Sequence, residues 1–312
     1  MAVSINEEST IPKVIHYCWF GGGEKLPLME HCLNSWRKVM PDYKIKCWDA
    51  STLNMQIPFV RETYERKKWA FLTDYMRFYI LWKEGGIYMD LDVEVFRPFD
   101  DLLNNRMFSG IDYGEYLMNC GGKDLINDEG LLLSPFLGKT SFGVAIEAGI
   151  IGSEKGHPFM KACVDYYNSV SFITPEGDCF QIECPVVMCQ VAIDFGFRYK
   201  NITQVLSEGI CLYKYPTFAN PNVLSFSSET YACHWWTGTW RFHEKQRPVS
   251  ALLFPNRPYN RCYNLRKKPG LLKIVYRIVD CVDLVLVCFN KIPIYRTLLL
   301  SMGRRWFHSD NT

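Results

Sequence analysis

The segment Gly85-Gly86-Ile87-Tyr88-Met89-Asp90-Leu91-Asp92 carries two carboxylates one residue apart in an otherwise apolar run. Its alternation predicts a strand over 87–96, with Ile87, Met89, Leu91, Val93 and Val95 on one face and Tyr88, Asp90, Asp92 and Glu94 on the other. At a rise of about 3.3 Å per residue, the two aspartates project from one side about 7 Å apart. Two like charges in a central strand are costly unless something neutralises them, because one pKa must otherwise rise sharply. A divalent cation would neutralise them. Hard carboxylate oxygens suit Mg²⁺ or Mn²⁺, ions that keep positions open for phosphate oxygens. Asp-x-Asp is common by chance, and on a surface strand it is solvated charge. The apolar setting is what favours metal-assisted diphosphate binding at Asp90 and Asp92.

A second pair lies just upstream. Asp74 and Arg77 are three apart within a predicted helix over Trp69–Glu84, so they share a face. Such pairs contribute little on a surface. Here Phe71, Tyr75, Phe78, Tyr79 and Trp82 recur at helical spacing, which makes the helix largely buried and the pair a candidate for function as well as structure.

The elements that position these groups read as an α/β chain. Val14–Phe20 is a predicted strand ending in the turn Gly21-Gly22-Gly23, and Pro27–Val39 a helix with Leu28, Cys32, Leu33 and Trp36 on one face. Tyr43–Asp49 follows as a second strand, and strand–helix–strand order argues for a mixed, mostly parallel sheet flanked by helices. Residues 107–150 are Gly-rich with short strands, Pro158–Val170 is another helix, and Ser207–Trp240 reads as short strands and loops. A soft boundary near residue 250 separates a catalytic domain (1–250) from an extension (251–312).

The chain has 312 residues, 48% hydrophobic and 15% aromatic, enough for one large core with an appendage. Its net charge of +2 argues against a nucleic-acid binder, but Arg257–Ser309 holds 11 Lys/Arg against 2 Asp, a balance of +9 that leaves −7 elsewhere. The 13 cysteines show neither disulfide-framework nor metal-ligand spacing and are expected as reduced thiols. Met1–Thr10 has no apolar leader and no uncharged run reaches the ~18 residues of a spanning helix, so a cytoplasmic protein is expected.

Three ordered motifs carry a resemblance. They are Ile11-Pro12-Lys13-Val14-Ile15-His16-Tyr17-Cys18-Trp19-Phe20-Gly21, Ala70-Phe71-Leu72-Thr73-Asp74-Tyr75-Met76-Arg77, and the Gly85–Asp92 segment. Together the chain resembles the DXD-containing sugar transferases of glycosyltransferase family 32. That family includes bacterial capsular and lipopolysaccharide transferases and yeast mannosyltransferases. The resemblance spans residues 11–240 and is densest up to Pro98. It implies a GT-A type fold, a nucleotide-sugar donor (a UDP-sugar is favoured, GDP-mannose is open), Mn²⁺ or Mg²⁺, and retention of anomeric configuration.

The resemblance also implies site residues. Asp74 accepts hydrogen bonds from the donor sugar or ribose, and Arg77 binds the sugar and phosphate region. Trp19, beside the glycine turn, is either a base-stacking residue or a core aromatic. Tyr88 shares the donor-facing side of the strand. His234-Trp235-Trp236-Thr237-Gly238-Thr239-Trp240 resembles the family's His-His-Trp-x-x-Ser-Trp element, with Trp235 in place of the second His and Thr239 in place of Ser. His234 completes the metal shell or contacts the diphosphate, and Thr239 and Trp240 donate to the leaving phosphate. Glu183-Cys184-Pro185 stands where relatives have Thr-Gly-Pro, so Glu183 either touches sugar or acceptor or is a solvated loop carboxylate. Lys155-Gly156-His157-Pro158-Phe159 reads as a turn into a helix.

The expected reaction is transfer of a hexose or N-acetylhexosamine to a glycan or lipid-linked acceptor, in cell-surface polysaccharide or lipopolysaccharide synthesis. Leu271–Phe289 reads as an amphipathic helix with Arg266, Lys267, Lys268, Arg304 and Arg305 around it. It is either a membrane-surface element at the inner face of the membrane or a helix packed on the core. Two other classes compete. One is a metal-dependent phosphohydrolase or nucleotidyl-transfer enzyme using the same aspartates. The other is a catalytically idle membrane-associated binding module.

Overall fold

The computed structural model describes residues 10–174, 177–220 and 226–236. The chain divides into two compact units, and the first, Met1–Asn220 with Ser225–His234, holds the elements below. The expected extension 251–312, its helix Leu271–Phe289 and its basic cluster lie outside the described residues.

The chain opens with β1 (Val14–Cys18), α1 (Pro27–Val39), β2 (Lys44–Trp48), α2 (Pro58–Glu65), α3 (Trp69–Glu84), β3 (Gly86–Met89) and β4 (Val93–Val95). It continues with β5 (Met107–Tyr113), α4 (Glu115–Asn119), β6 (Val144–Ile146), β7 (Ile150–Ser153), α5 (Pro158–Ser169) and α6 (Cys184–Ile193). Short strands close it: β8 (Gln204–Val205), β9 (Ile210–Tyr213), β10 (Phe218–Ala219) and β11 (Ala232–His234). The main sheet has the order β2-β1-β3-β7-β5-β9-β8, with β6 on β5. Strands β1, β2, β3, β5 and β9 run one way and β6, β7 and β8 the other. This is the mixed, mostly parallel sheet flanked by helices that the sequence leads one to expect of a GT-A type domain. A second, smaller sheet has the order β10-β11-β4.

Strand alternation distributes the core to both faces of the sheet. Ile87, Met89, Phe108 and Ile150 pack with Met29, Leu33 and Trp36 of α1. Tyr88, Met107 and Ile151 pack with Phe59 of α2, Tyr75 and Phe78 of α3, Tyr167 of α5 and Val187 of α6. Each fully buried aromatic here contributes roughly 1.5–3 kcal/mol. The start of α1 follows from Pro27 at its first turn, and Arg37 and Lys38 in its last turn complement the helix dipole.

The predicted continuous strand over 87–96 does not form. It breaks after Met89: the Asp90 N–H donates to Gly149 O at 2.9 Å and the Val93 N–H to Asp90 O at 3.0 Å, closing a tight turn. β4 then joins the second sheet instead of continuing the first. Glu94 meets His31 at 3.0 Å. The backbone hydrogen bonds, not the side-chain alternation, decide where the strand ends. The ten described cysteines, Cys18 to Cys233, are free thiols.

One buried polar group ties the first motif to the third. The Trp48 indole N–H donates to His16 Nδ1 at 3.1 Å, so the other nitrogen carries the proton and donates to Gly85 O at 2.9 Å. Gly86 must be glycine: its φ is +102°, and a Cβ would sit 2.6 Å from Val14 O and 2.9 Å from His16 Nε2. Burial pushes the His16 imidazole down to about 4 from 6.5, the Gly85 carbonyl only partly opposing it. The folded state therefore binds this proton less readily than the unfolded chain. The stability is present above pH 6.5 and is lost as pH falls toward 4, by about 3 kcal/mol. Urea unfolding from pH 7 to pH 4 should show that component, and His16→Gln should lack it. Equal pH slopes for the two proteins would refute the assignment.

Candidate active site

The turn after β3 and the end of β11 meet at one point. β11 pairs antiparallel with β4, with His234 opposite Val93. That register places the imidazole beside Asp92: His234 Nε2 lies 3.3 Å from Asp92 Oδ1 and 3.8 Å from Asp90 Oδ2. One ligand atom from each of Asp90, Asp92 and His234 can be chosen so that all lie within 4.8 Å of one another. The expected 7 Å separation along a strand is replaced by convergence across a turn.

Arg77 joins this cluster to α3. Its Nη2 donates to Asp74 Oδ1 at 2.7 Å and its Nη1 to Ala148 O at 2.6 Å, while Nη1 stands 3.7 Å from Asp90 Oδ2. Its guanidinium also lies over the Tyr88 ring, 5.0 Å from the centroid. The Tyr88 hydroxyl donates to Asp90 Oδ1 at 2.6 Å. Asp90 is thus held by Tyr88 through one oxygen, and its other oxygen faces Arg77 and His234.

Burial and like charges dominate the electrostatics. Burial pushes the Asp74 carboxyl up to about 7; Arg77 opposes this, and Asp90 and Glu183 add to it. Burial alone would lower the Arg77 pKa, but Asp90, Tyr88 and Asp74 more than offset it and the guanidinium stays charged. Burial likewise works against a charged His234, and the carboxylates of Glu147 and Asp92 outweigh it, holding the ring well above its usual range.

Glu147 is the residue that sequence reasoning missed. Its Oε1 accepts from His234 Nδ1 at 2.9 Å and from the Gly149 N–H at 2.6 Å. Burial raises its pKa, but His234, the Gly149 N–H and Arg77 hold the carboxyl below its ordinary value. The available signal was one acid inside the apolar run Val144–Ile151. Gly149 is part of the same packing: a Cβ there would sit 2.7 Å from His234 Cε1 and Nδ1 and 3.0 Å from Asp90 Oδ2. Only glycine allows the imidazole and the carboxylate to approach this backbone.

The remaining candidates are placed as follows. Glu183 stands half-buried at the end of a loop, directly before α6, and its charge is felt at Asp74. Trp19 follows β1 half-buried, with its indole N–H donating to Gly23 O at 3.1 Å and the Lys25 ammonium 5.5 Å from its ring centroid. Lys155–Phe159 is a turn leading into α5, where His157 Nδ1 caps the Phe159 N–H at 3.1 Å. Thr239 and Trp240 lie outside the described residues. Two carboxylates and an imidazole, converging beside a buried Asp–Arg pair, form a donor set that fits a hard or borderline divalent cation.

Comparison with known proteins gives the family context. Residues 28–109 match the family described as a glycosyltransferase sugar-binding region containing the DXD motif. Inositol phosphoceramide mannosyltransferase 3 of Schizosaccharomyces pombe is 30% identical over 109 residues, 32% of this chain and 29% of the relative. Inositol phosphoceramide mannosyltransferase 1 of the same organism is 31% identical over 114 residues, 33% of this chain and 34% of the relative. This chain thus matches about a third of the length of each. An uncharacterized glycosyltransferase of Acanthamoeba polyphaga mimivirus is 31% identical over 31% of this chain and 42% of its own length. Among solved structures, a galactosyltransferase in complex with donor and acceptor sugar analogs is 13% identical, with a TM-score of 0.36, covering 79% of this chain and 95% of that one.

Proposed function

We propose that this protein is a metal-dependent glycosyltransferase; residues 28–109 match the family described as a glycosyltransferase sugar-binding region containing the DXD motif. It moves a hexose or N-acetylhexosamine from a nucleotide sugar to a glycan or lipid-linked acceptor, with retention of configuration. The observation that carries this reading is the Asp90, Asp92 and His234 cluster beside the buried Asp74–Arg77 pair. Two carboxylate oxygens with one imidazole nitrogen suit Mn²⁺ better than Mg²⁺, which prefers an all-oxygen octahedron. A bound cation would neutralise the diphosphate as the glycosidic bond breaks.

The chain's own groups divide the remaining work. Asp90 and Asp92 hold the cation side, and Tyr88 and Arg77 fix the orientation of Asp90. Asp74, with its carboxyl near neutrality, exchanges hydrogen bonds with sugar hydroxyls as donor or acceptor. Glu183, directly before α6, is assigned to the sugar or acceptor because its charge acts on Asp74. Retention follows if the acceptor hydroxyl attacks on the leaving group's own face and the departing phosphate takes the proton. Trp19, Thr239 and Trp240 are assigned to the nucleotide and leaving phosphate by their motifs alone.

The test is Mn²⁺-dependent hydrolysis and transfer across a panel of UDP- and GDP-sugars. UDP-sugars are favoured, and GDP-mannose is included because two relatives are named mannosyltransferases. A flat response to every donor would overturn the reading. Among the described residues no helix is long and apolar enough to cross a membrane. The basic segment Arg257–Ser309 extends the proposal to peripheral binding at an anionic membrane surface, serving a lipid-linked acceptor in surface polysaccharide synthesis. Deleting residues 257–312 should release the protein from anionic liposomes; unchanged flotation would make the segment a packing element.

A further inference from the structure

The loop Glu147-Ala148-Gly149, between β6 and β7, touches three of the site's elements at once. Ala148 O accepts from Arg77 Nη1 at 2.6 Å, Gly149 O accepts the Asp90 N–H at 2.9 Å, and Glu147 Oε1 meets His234 Nδ1 at 2.9 Å. The loop is itself fixed. The Glu147 N–H donates to Gly110 O at 2.8 Å, and Ser109 Oγ donates to Glu147 O at 2.6 Å. Glu147 is buried, 5% exposed, so its carboxylate has little freedom to move.

A carboxylate only accepts, so the hydrogen bond to Glu147 requires the proton on Nδ1 of His234. That leaves Nε2 as the nitrogen turned toward Asp92 at 3.3 Å and Asp90 at 3.8 Å, and a cation bound there takes the place of the proton on Nε2, which is released to solvent. A ring held only by its backbone could turn about χ2, and either nitrogen could then face the aspartates. We propose that Glu147 is a positioning residue that fixes the plane and tautomer of His234, so that Nε2 is presented to a divalent cation shared with Asp90 and Asp92. This rests on the donor-site reading above and adds to it the group that makes His234 an effective ligand. The glycine at 149 belongs to the same device, because a Cβ there would meet the ring at 2.7 Å. An outer carboxylate that orients a ligating histidine typically changes metal affinity 10–100-fold when removed.

The experiment titrates Mn²⁺ alone, reading free ion by EPR, into the unmodified protein and into Glu147→Gln, Glu147→Ala, His234→Ala and the Glu147→Gln/His234→Ala double variant. Glutamine keeps the size of glutamate but offers a weaker, reversible acceptor. Glu147→Gln should bind Mn²⁺ about 10-fold more weakly and Glu147→Ala up to about 100-fold more weakly. In the His234→Ala background, Glu147→Gln should cost nothing further, because the group it positions is gone. Thermal midpoints identify any variant that has lost its fold. If the alanine variant fails to fold, the glutamine variant carries the test.

Unmodified Mn²⁺ affinity in Glu147→Gln overturns the proposal. An equal loss with and without His234 overturns it too, because Glu147 would then act only as a distant charge. Absence of Mn²⁺ binding by the unmodified protein would refute the donor-site reading and this inference with it. Intact binding that is lost in Asp92→Asn but not in Glu147→Gln would refute this inference alone.

Discussion

Asp92→Asn should reduce Mn²⁺-dependent donor turnover about 1,000-fold, equivalent to about 4 kcal/mol of transition-state stabilisation, while leaving the fold intact. Asparagine has the same shape, so the tight turn between Asp90 and Val93 needs no rearrangement. What changes is charge. The side chain that faces His234 Nε2 at 3.3 Å becomes neutral and offers one oxygen instead of two. A cation held by Asp90, Asp92 and His234 then loses an anionic ligand, and the diphosphate loses its counter-charge. Mn²⁺ titration, thermal unfolding and donor hydrolysis on one preparation separate the possibilities. Turnover persisting at the unmodified level would mean that the cluster is not the reacting site.

Arg77→Met should destabilise the protein by about 3–5 kcal/mol, lowering the thermal midpoint by roughly 10 °C for a unit of this size. Methionine fills most of the volume, so the loss is electrostatic. Removing the guanidinium leaves Asp74 without its 2.7 Å partner, Asp90 without its nearest cation and the Ala148 carbonyl without its donor. Arg77 is 5% exposed and Asp74 9%, so solvent replaces little of what is lost. Asp74→Asn should cost much less stability. Burial already pushes that carboxyl up to about 7, and an asparagine oxygen still accepts from Arg77 Nη2. Its effect should appear in turnover instead. Equal midpoints for Arg77→Met and Asp74→Asn would show that the guanidinium is not the keystone of this buried set.

Much of the scaffold was legible in the sequence because it depends on local rules. The spacing Phe71, Tyr75, Phe78, Trp82 places α3 over Trp69–Glu84, and the same helical geometry puts Asp74 and Arg77 on one face, where they bond. Pro27 and the apolar stripe Leu28, Cys32, Leu33, Trp36 likewise mark α1 over Pro27–Val39. By contrast, α6 escaped reading because Cys-Pro-Val-Val-Met-Cys-Gln-Val-Ala-Ile is apolar around its whole circumference, which leaves no periodic signal. Glu183 remains the extended loop residue it is expected to be, but the helix that begins at Cys184, directly after it, has no signal in the sequence.

The site divides along the same line. The sequence by itself determined that Asp90 and Asp92 sit close together in an apolar setting, and that Asp74 and Arg77 form a pair. Those facts follow from covalent neighbourhood and helical period, which act over a few residues. Only the tertiary structure decided that β3 stops at Met89, so that a turn, not a strand face, brings the carboxylates together. It alone placed His234 opposite Val93 through the β4–β11 register, and Glu147, 87 residues away in the chain, against the same imidazole. Strand pairing and buried hydrogen bonding between distant segments leave no period in the sequence. In the sequence, Glu147 was only an isolated acid between Ile146 and Ala148.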